Sequence, residues 1–501
     1  MPKTLDQRLV PPFPEAVHFI DGELVAGRGE PVDVLFPVTA EVLARIRSAS
    51  TEQIETALAA ARRSFDQAVW RGQAPPARAK VLEAMAADLE SRAPDLATRV
   101  MFDNGKTAPE AAGDVHACIA ALRGAARSCL AEEAASPAPE RGVVKMVRRE
   151  PVGVVAAITP FNAPLVFAGL KCGPALAAGN SVVLKPSERA PLVPIAVAEA
   201  ARRAGLPPGV LNIVHGRADV AAALSSDPRV DMVTITGGTR SGSAVMHAAA
   251  HGIKRVLLEL GGKSAHIVLA DADLDRAIPG VAAGIYRNAG QRCFSGSRLV
   301  VEEAVADRVA EGMARIANGL VVGDPFEPGT HVGAMIDGAA VDAVEAFVAR
   351  ALADGLAVAA GGERVRALEP GFFYRPTLLT GADAESYAAQ EEVFGPVLTM
   401  IRVKDLEEAV AVANNSRYGL AGGVWTLSVD RALEVAGRVR CGTFWVNTYG
   451  AIFGDVPFGG YGQSGLGREG GREGYNAYTE LKTVLVDTTG GTTAPLFDFG
   501  G

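Results

Sequence analysis

Cys293 is the residue of this sequence best suited to nucleophilic chemistry. It closes the stretch GQRC at 290–293, where a glycine-containing loop precedes the sulfur and Arg292 stands next to it. A thiolate is a strong nucleophile near neutral pH, and an adjacent guanidinium would stabilise it. A cysteine taken alone is more often buried packing. That alternative fits the other cysteines, which lie in Ala- or Gly-rich contexts: Cys118, Cys129, Cys172 and Cys441.

Two further side chains suit a reaction at that sulfur. Glu259, in ELGGK at 259–263, ends an apolar strand candidate. Burial there would raise the pKa of its carboxyl towards the range of a general base, and an ion pair with Lys263 is the structural alternative. Asn162, in TPFN at 159–162, follows another strand candidate and carries a neutral donor suited to an oxyanion; a turn residue is its alternative.

Other motifs suit a nucleotide. KPSE at 185–188 provides Lys185 and Glu188, and a carboxylate there would accept from ribose hydroxyls and repel a 2′-phosphate, which favours NAD over NADP. ITGGT at 235–239 opens a helix candidate whose backbone N–H groups would attract a pyrophosphate, although a structural turn fits it nearly as well. The sequence contains neither a GxxxxGK[ST] phosphate loop nor a GxSxG nucleophile elbow.

These residues stand at the ends of apolar strand candidates that alternate with helices between residues 152 and 261. Right-handed crossovers between parallel strands predict an open sheet with helices on both faces, a doubly wound α/β lobe. Ligands of such sheets bind at the carboxyl edge, where the polar residues collect. The predicted strands are 152–158, 181–185, 210–214, 230–235 and 255–260, and the predicted helices are 164–178, 191–204, 217–225 and 240–251.

A second α/β lobe follows from a second alternation, and the remaining segments have simpler patterns. Residues 52–130 have a helical pattern, two short β-prone segments could pair as an extra sheet at a subunit contact, and residues 488–501 indicate a loop or arm. The strands predicted for the second lobe are 266–269, 299–301, 397–403, 422–425 and 443–446, and the two β-prone segments are 143–149 and 482–487.

Composition narrows the class of protein. The 501 residues carry 49 Lys and Arg against 57 Asp and Glu, a net charge of −8, which argues against nucleic acid or an anionic membrane as partner. Five cysteines without metal-ligand spacing argue against a disulfide framework and a metal site. The start of the chain has no signal-peptide pattern, and no apolar run of membrane-spanning length occurs, so we expect a cytoplasmic protein.

Taken together, the motifs resemble the aldehyde dehydrogenase superfamily over nearly the whole chain. One such motif is weak evidence, whereas the same order of many motifs is specific. They are TPFN, KPSE, ITGGT, ELGGK, GQRC, EEVFGPV at 391–397, NNSRYGLAGGV at 414–424, GTFWVN at 442–447 and PFGGYGQSGLGRE at 457–469.

The resemblance implies a covalent mechanism. Cys293 would attack an aldehyde to give a thiohemiacetal, with Asn162 and the backbone N–H of Cys293 holding the oxyanion. Hydride transfer would leave a thioester, and Glu259 would activate the water that hydrolyses it. Lys171 and Glu469 match a pair that the family places near a proton exit route.

The resemblance also implies the cofactor and the domains. NAD is expected, with NADP as the alternative, bound between a Rossmann-like cofactor domain at 1–128 and 149–258 and a catalytic domain at 259–465. The segments 129–148 and 466–501 would form a bridging sheet of a homodimer or homotetramer. The matching cofactor residues are Thr159, Pro160, Phe161, Lys185, Glu188, Gly216, Gly238, Thr239, Leu260, Gly261, Glu392 and Phe394.

Several positions depart from the family pattern. Phe161 stands where many members have tryptophan, Gly238 where many have serine, and Gly462 where many have lysine. Ala163 and Leu170 occupy substrate-tunnel positions that are often aromatic. Smaller walls predict room for a bulky or aryl aldehyde, with the remaining apolar lining formed by Phe167, Ile452 and Phe458.

Three alternatives stay open. A semialdehyde substrate would need a basic partner, for which His116 and Arg123 are candidates on a helix near the tunnel. Acyl transfer to coenzyme A is a second alternative, although relatives that perform it generally lack the glutamate that Glu259 supplies. The third is a non-catalytic nucleotide-binding protein of the same fold.

Overall fold

Two parallel sheets organise the chain into two α/β lobes, which confirms the predicted fold class. The computed structural model describes residues 2–14, 17–131, 135–138, 142–452 and 454–488. The predicted loop or arm at 488–501 therefore lies, beyond its first residue, outside the described residues.

The strands include the predicted ones and several short ones that were not predicted. They are β1 (His18–Ile20), β2 (Glu23–Val25), β3 (Pro31–Leu35), β4 (Val42–Arg47), β5 (Val143–Pro151), β6 (Val154–Ile158), β7 (Ser181–Lys185), β8 (Leu211–Ile213), β9 (Met232–Thr236), β10 (Arg255–Glu259), β11 (Ala265–Val268), β12 (Arg298–Glu302), β13 (Ala357–Ala360), β14 (Thr377–Ala382), β15 (Val397–Val403), β16 (Ala421–Trp425), β17 (Thr443–Val446), β18 (Gly465–Leu466) and β19 (Thr479–Asp487).

The helices cover both faces of the sheets. They are α1 (Thr51–Asp66), α2 (Pro75–Ser91), α3 (Ala93–Asn104), α4 (Ala108–Leu130), α5 (Pro164–Ala178), α6 (Ile195–Arg203), α7 (Ala218–Ser226), α8 (Thr239–Ala250), α9 (Leu274–Tyr286), α10 (Glu303–Gly319), α11 (Gly338–Ala353), α12 (Tyr387–Gln390), α13 (Leu406–Asn414), α14 (Val429–Arg438) and α15 (Gly471–Asn476), with short 3₁₀ turns at Leu5–Gln7, Arg287–Gly290, Arg366–Leu368 and Gly462–Ser464.

The sheet of the first lobe has the strand order β18-β10-β9-β6-β7-β8-β1-β2. The five strands from β10 to β8 are parallel, and β6 lies between β7 and β9. This is the Rossmann order, in which successive strands are added first on one side of β6 and then on the other, and a crevice opens at the carboxyl edge where the order switches. The edge strands β18, β1 and β2 are antiparallel additions that were not predicted.

Local sequence signals explain why both ends of α5, the helix that follows β6, were predicted at the correct residues. α5 begins with Pro164 at its first position and ends at Gly179, which adopts a left-handed conformation (φ 98°) and donates its N–H to the Ala175 and Leu176 carbonyls. The strands β6, β7 and β9 are buried along their whole length, which accounts for their unbroken apolar runs.

The second lobe contains a sheet of order β13-β14-β15-β12-β11-β16-β17, parallel except for β13. β13 and β14 were not predicted, whereas the other strands match their predicted positions to within one residue. Residues 260–264 connect β10 of the first sheet to β11 of the second, so the site lies where the lobes meet.

The two leftover β-prone segments do pair. β5 and β19 form a two-stranded antiparallel ribbon whose register runs from Val143 opposite Asp487 to Pro151 opposite Thr479. Its strands are longer than predicted. Within the described residues, no helix is long and apolar enough to cross a membrane.

Candidate active site

A tight turn before Cys293 presents the sulfur to the junction of the lobes. After α9 the backbone of Asn288 and Ala289 takes positive φ angles of 52° and 49°. Gly290 follows at φ 71°, and a Cβ there would lie 2.0 Å from the Gly395 carbonyl oxygen. The turn therefore requires glycine, because the backbone of a neighbouring segment fills the space of a side chain.

Cys293 is close to two carboxyl groups. A Cβ at Gly262 would lie 2.7 Å from the Cys293 carbonyl oxygen, so the glycines after β10 permit this approach. Burial raises the pKa of the Cys293 thiol to about 12, and Glu259 and Glu392 add to the rise, whereas Arg292 opposes it. The thiol is therefore protonated at neutral pH in this environment and needs a proton acceptor to react.

Asn162 is fixed by a network that holds the turn. Its Nδ2 donates to the Gln291 carbonyl at 3.0 Å, and Asn288 Nδ2 donates to the carbonyls of Asn162 and Gln291 at 3.1 Å each. The Gln291 side chain in turn accepts from the backbone N–H of Ile336 at 3.0 Å. Asn288 and Gln291 were not predicted as site residues, since an amide that binds only backbone leaves no distinct sequence signal.

Glu259 is buried at the end of β10 with no partner for its carboxyl oxygens among the described residues. Burial raises the pKa of this carboxyl well above the ordinary value, and Glu469 raises it further. A Cβ at Gly459 would lie 2.5 Å from Glu259 Oε1, so only glycine leaves room for it. The ion pair with Lys263 is not formed: the Lys263 ammonium lies 5.1 Å from the ring centroid of Phe347.

Lys171 and Glu469 form a buried ion pair next to Glu259. Lys171 Nζ lies 2.6 Å from Glu469 Oε1 and donates to Thr234 Oγ1 at 3.0 Å. Their side chains are 0% and 4% exposed. Lys171 also opposes the rise in the pKa of Glu259, so the two carboxyls and one ammonium form a single electrostatic unit.

The carboxyl edge of the first sheet collects the residues predicted to bind a nucleotide. Lys185 Nζ, at the end of β7, donates to Glu188 Oε2 at 3.2 Å, and burial lowers the pKa of this lysine. The hydroxyl oxygens of Thr159 and Thr236, after β6 and at the end of β9, are buried without a partner among the described residues. Such polar groups are expected to hydrogen-bond a ligand or water.

The predicted pyrophosphate residues open α8. Gly238 is the N-cap of this helix, and no heavy atom lies within 4 Å of a Cβ placed on it. Thr239 is the first helical residue and donates to the Gln463 carbonyl at 3.3 Å. Gly216 lies apart from this helix, after β8, where a Cβ would meet Val220 at 2.2 Å. A side chain at Gly216 would therefore displace Val220, and its predicted contact with the cofactor stays a prediction.

Glu392 lies against the glycines after β10. It accepts from the Gly262 backbone N–H at 3.1 Å, and a Cβ at Gly261 would lie 2.1 Å from its Oε2. Burial raises the pKa of Glu392 to about 7. Leu260 donates its N–H to the Ser464 carbonyl at 2.9 Å, and Ser464 Oγ donates to the Gly261 carbonyl at 2.7 Å. Ser464 was not predicted, although it lies in one of the quoted motifs.

The aromatic rings near the crevice pack edge to face. Phe161, which follows Pro160 after β6, and Phe394, at φ 48°, have ring centroids 5.7 Å apart. The Arg189 guanidinium lies 4.2 Å from the Phe161 centroid and pairs with Asp337.

One face of α5 is apolar and partly exposed. Ala163, Val166, Phe167 and Leu170 are half-buried in an otherwise buried segment, and their spacing places them on one side of the helix. On the other side of the site, the Phe294 ring centroid lies 5.8 Å from that of Phe458 and 6.0 Å from that of Trp445. Ile452 is 47% exposed.

The basic candidates on α4 are engaged elsewhere. Arg123 pairs with Glu83 and Glu90 of α2, and the exposed His116 ring bonds the Ala112 carbonyl. Arg123 therefore offers no free charge to a substrate.

Comparison with known proteins identifies the family. The model of the "Aldehyde dehydrogenase family" matches residues 24–484. An aldehyde dehydrogenase of Davidiella tassiana is 38% identical over 93% of this chain and 94% of its own length. A betaine aldehyde dehydrogenase of Staphylococcus aureus, solved in complex with NAD+, has a TM-score of 0.95 and 34% identity over 98% of both chains. An NAD-dependent aldehyde dehydrogenase of Sinorhizobium meliloti has a TM-score of 0.93 and 39% identity over 96% of both chains. The chain belongs to the aldehyde dehydrogenase family.

Proposed function

We propose that the protein oxidises an aldehyde to a carboxylic acid with NAD, through a covalent intermediate on Cys293. The observation that carries the proposal is that the buried Glu259 carboxyl, which has no partner in the described part of the chain, lies near enough to Cys293 to raise the pKa of its thiol. A nucleophile and a proton acceptor within electrostatic reach of each other are the two groups that acyl chemistry requires.

The first step is addition of the sulfur to the carbonyl carbon. Cys293 Sγ forms the C–S bond as its proton leaves to Glu259, whose raised pKa makes it a competent acceptor. The carbonyl electrons move to oxygen, where the second N–H of Asn162 and the backbone N–H of Cys293 donate. Loss of one such donor costs about 3 kcal/mol of transition-state stabilisation.

The second half of the reaction hydrolyses the acyl group. When bound, NAD supplies the hydride acceptor that converts the thiohemiacetal to a thioester. Glu259 first passes the thiol proton to the neighbouring Lys171–Glu469 pair and on to solvent, and then takes a proton from the water that attacks the thioester. The C–S bond breaks with Cys293 leaving as a thiolate, and the acid is released. The Lys171–Glu469 pair lies next to Glu259 and is suited to receive a proton from it.

The first lobe fits a dinucleotide. Three observations support this: the Rossmann strand order, the hydroxyls of Thr159 and Thr236 that bond no described residue, and the open N-terminus of α8 at Gly238. Glu188, bound to Lys185, would receive the adenosine ribose hydroxyls and repel a 2′-phosphate, so NAD is preferred over NADP. Glu392 and Phe394 would contact the nicotinamide ribose.

The substrate class that suits the apolar face of α5 is a bulky or aryl aldehyde. Ala163 and Leu170 leave space on the exposed face of α5, and Phe167 and Phe458 provide apolar contact. Among short and aryl aldehydes, we expect the higher kcat/KM for those of benzaldehyde size.

We also propose a homo-oligomer of two or four copies, in the cytoplasm, assembled through the β5–β19 ribbon. The ribbon exposes apolar side chains, with Leu481 and Leu485 62% and 64% exposed and Met146 41% exposed. Leu485→Glu is expected to lower the molar mass in light scattering. An unchanged mass would contradict this interface.

The function is tested by NADH formation over a panel of aldehydes. Wild type is expected to produce NADH, and Cys293→Ala to produce none, while Cys441→Ala, which changes another half-buried cysteine, retains activity. Mass spectrometry of the enzyme during turnover should find the acyl adduct on Cys293. Activity without that sulfur, or turnover only with coenzyme A added, would contradict the proposal.

A further inference from the structure

Arg292, next to Cys293 in the cysteine turn, carries a charge that is paired with no described residue. Its guanidinium forms no ion pair or hydrogen bond with the described part of the chain. Two acids interact with it electrostatically without forming an ion pair with it: Asp114 is bound by Lys106, and Glu110 accepts from the Asn288 N–H at 2.6 Å. Burial lowers the pKa of Arg292 only to about 10, so the guanidinium remains charged at neutral pH.

Packing alone holds this side chain in place. The Arg292 guanidinium carbon lies 4.2 Å from the Phe294 ring centroid, so the plane of the group has an aromatic support. A Cβ at Gly450 would lie 2.9 Å from Nη2 and 3.5 Å from the Phe294 ring, so the glycine leaves room for the guanidinium. An arginine held in this way keeps its N–H donors free in a fixed fork.

An unpaired charge that is partly withdrawn from water is costly unless a partner arrives. The partner that matches a guanidinium fork is a carboxylate, which accepts two parallel hydrogen bonds. Stabilising the Cys293 thiolate does not account for the arginine, because burial and two nearby carboxyls keep the pKa of that thiol at about 12 despite the guanidinium. Arg287, exposed on the same turn, adds positive charge and no competing acid.

We propose that Arg292 binds a carboxylate of the substrate, so that the natural substrate of this enzyme is an aldehyde that also carries a carboxylate. The proposal rests on the aldehyde oxidation proposed above and names the substrate class of the same site. The carboxylate would lie on the guanidinium, its carbon chain or ring against Phe294 and Phe458, and its aldehyde at Cys293. A substrate with a quaternary ammonium would place two positive charges together and is disfavoured.

Two matched pairs of aldehydes test this. One is 4-carboxybenzaldehyde with 4-methylbenzaldehyde, and the other is succinic semialdehyde with butanal. In at least one pair, wild type is expected to prefer the carboxylated member by about tenfold or more in kcat/KM, the size of one charged hydrogen-bonded contact. Arg292→Met should raise the KM of that member about tenfold or more and change the neutral member less than about threefold. Arg292→Lys should retain part of the preference.

The control is Arg123→Met, which removes an arginine that Glu83 and Glu90 already pair, and it should leave both members unchanged. A preference of wild type for the neutral member in both pairs would overturn the proposal. So would an equal loss for both members in Arg292→Met, since that would mean the arginine only positions the cysteine loop. In either case Cys293-dependent oxidation of the neutral aldehyde would leave the proposed function intact, whereas no oxidation of any aldehyde would contradict the function itself.

Discussion

Buried charged side chains form ion pairs at the cofactor edge, whereas at the junction of the lobes some of them have no partner among the described residues. At the cofactor edge Lys185 pairs with Glu188, and next to the junction Lys171 pairs with Glu469. At the junction, the Glu259 carboxyl has no partner among the described residues. The Arg292 guanidinium is likewise unpaired within the described part of the chain, where burial lowers its pKa. A paired charge helps to fix the geometry of the protein. An unpaired buried charge can still gain a favourable interaction, either by binding a ligand of opposite charge or by exchanging a proton.

This difference gives a rule for telling the two kinds of residue apart by experiment. Removing an unpaired charge should reduce activity and leave the free energy of unfolding unchanged or higher, because no native contact is lost. Removing one member of a buried pair should reduce that free energy, because its partner is left alone.

The largest effect is expected for Glu259→Gln. Glutamine is nearly the same size but accepts no proton, so thioester hydrolysis should slow by about 10²–10⁴-fold. Because Glu259 also accepts the Cys293 proton, formation of the acyl-enzyme should slow too, and the adduct seen by mass spectrometry after addition of aldehyde and NAD should persist longer than in wild type. The melting temperature should not fall, since the carboxyl oxygens make no hydrogen bond with the described residues.

The pH dependence follows from the same carboxyl. Because burial raises its pKa well above that of an ordinary glutamate, Glu259 is protonated and inactive as a base below the raised value. The kcat of wild type should therefore rise with pH through a range above that of ordinary carboxyls, and Glu259→Gln should lose this limb. A limb that persists in the variant would assign the titration to another group.

Lys171→Met removes the buried ion pair between Lys171 and Glu469. This change leaves Glu469 buried without its partner, which should lower the free energy of unfolding by about 3–5 kcal/mol. The double variant Lys171→Met with Glu469→Leu should recover part of that loss. Denaturant unfolding of the three proteins measures it, and a single variant as stable as wild type would show that the pair does not hold the fold.

The more exposed pair, at the cofactor edge, should affect selectivity. The Glu188 side chain is 34% exposed in its ion pair with Lys185, so Glu188→Gln should cost little stability. Removing the repulsion towards a 2′-phosphate should raise the ratio of kcat/KM for NADP over that for NAD by about tenfold. Initial rates with the two cofactors measure this ratio, and an unchanged ratio would mean that Glu188 does not face the ribose.

Elements and residues with strong local signals could be predicted from the sequence. α5 has Pro164 at its start and Gly179 after its end, so both boundaries were correct. The short edge strands β1 and β18 have no periodicity to read, since three and two residues pair only because a larger sheet lies beside them.

In the candidate site, too, some residues could be predicted from local sequence and others could not. Cys293 and Glu259 are marked by their residue types and motifs, and the structure brings them together. Whether a charge is paired depends on residues distant in sequence, as for Arg123 of α4, which pairs with Glu83 and Glu90 of α2. The position of Arg292 likewise depends on Phe294 and on the space at Gly450, which local sequence does not reveal.

The smallest expected effect concerns a buried carboxyl, Asp103, of which one oxygen is hydrogen-bonded and the other is not. Asp103 Oδ2 accepts from the backbone N–H groups of Leu192 and Val193 at 3.0 and 3.1 Å, whereas its Oδ1 has no partner among the described residues. Burial raises the pKa of this carboxyl to about 7. Because the folded state then binds the proton more tightly than the unfolded state, the contribution of Asp103 to stability is lost as pH rises through the folded pKa. Between pH about 6 and about 8 that loss is about 1 kcal/mol. Asp103→Asn can still accept both N–H groups and does not titrate, so its free energy of unfolding relative to wild type should increase over this range. A constant difference would show that Asp103 is ionised throughout and belongs with the paired charges.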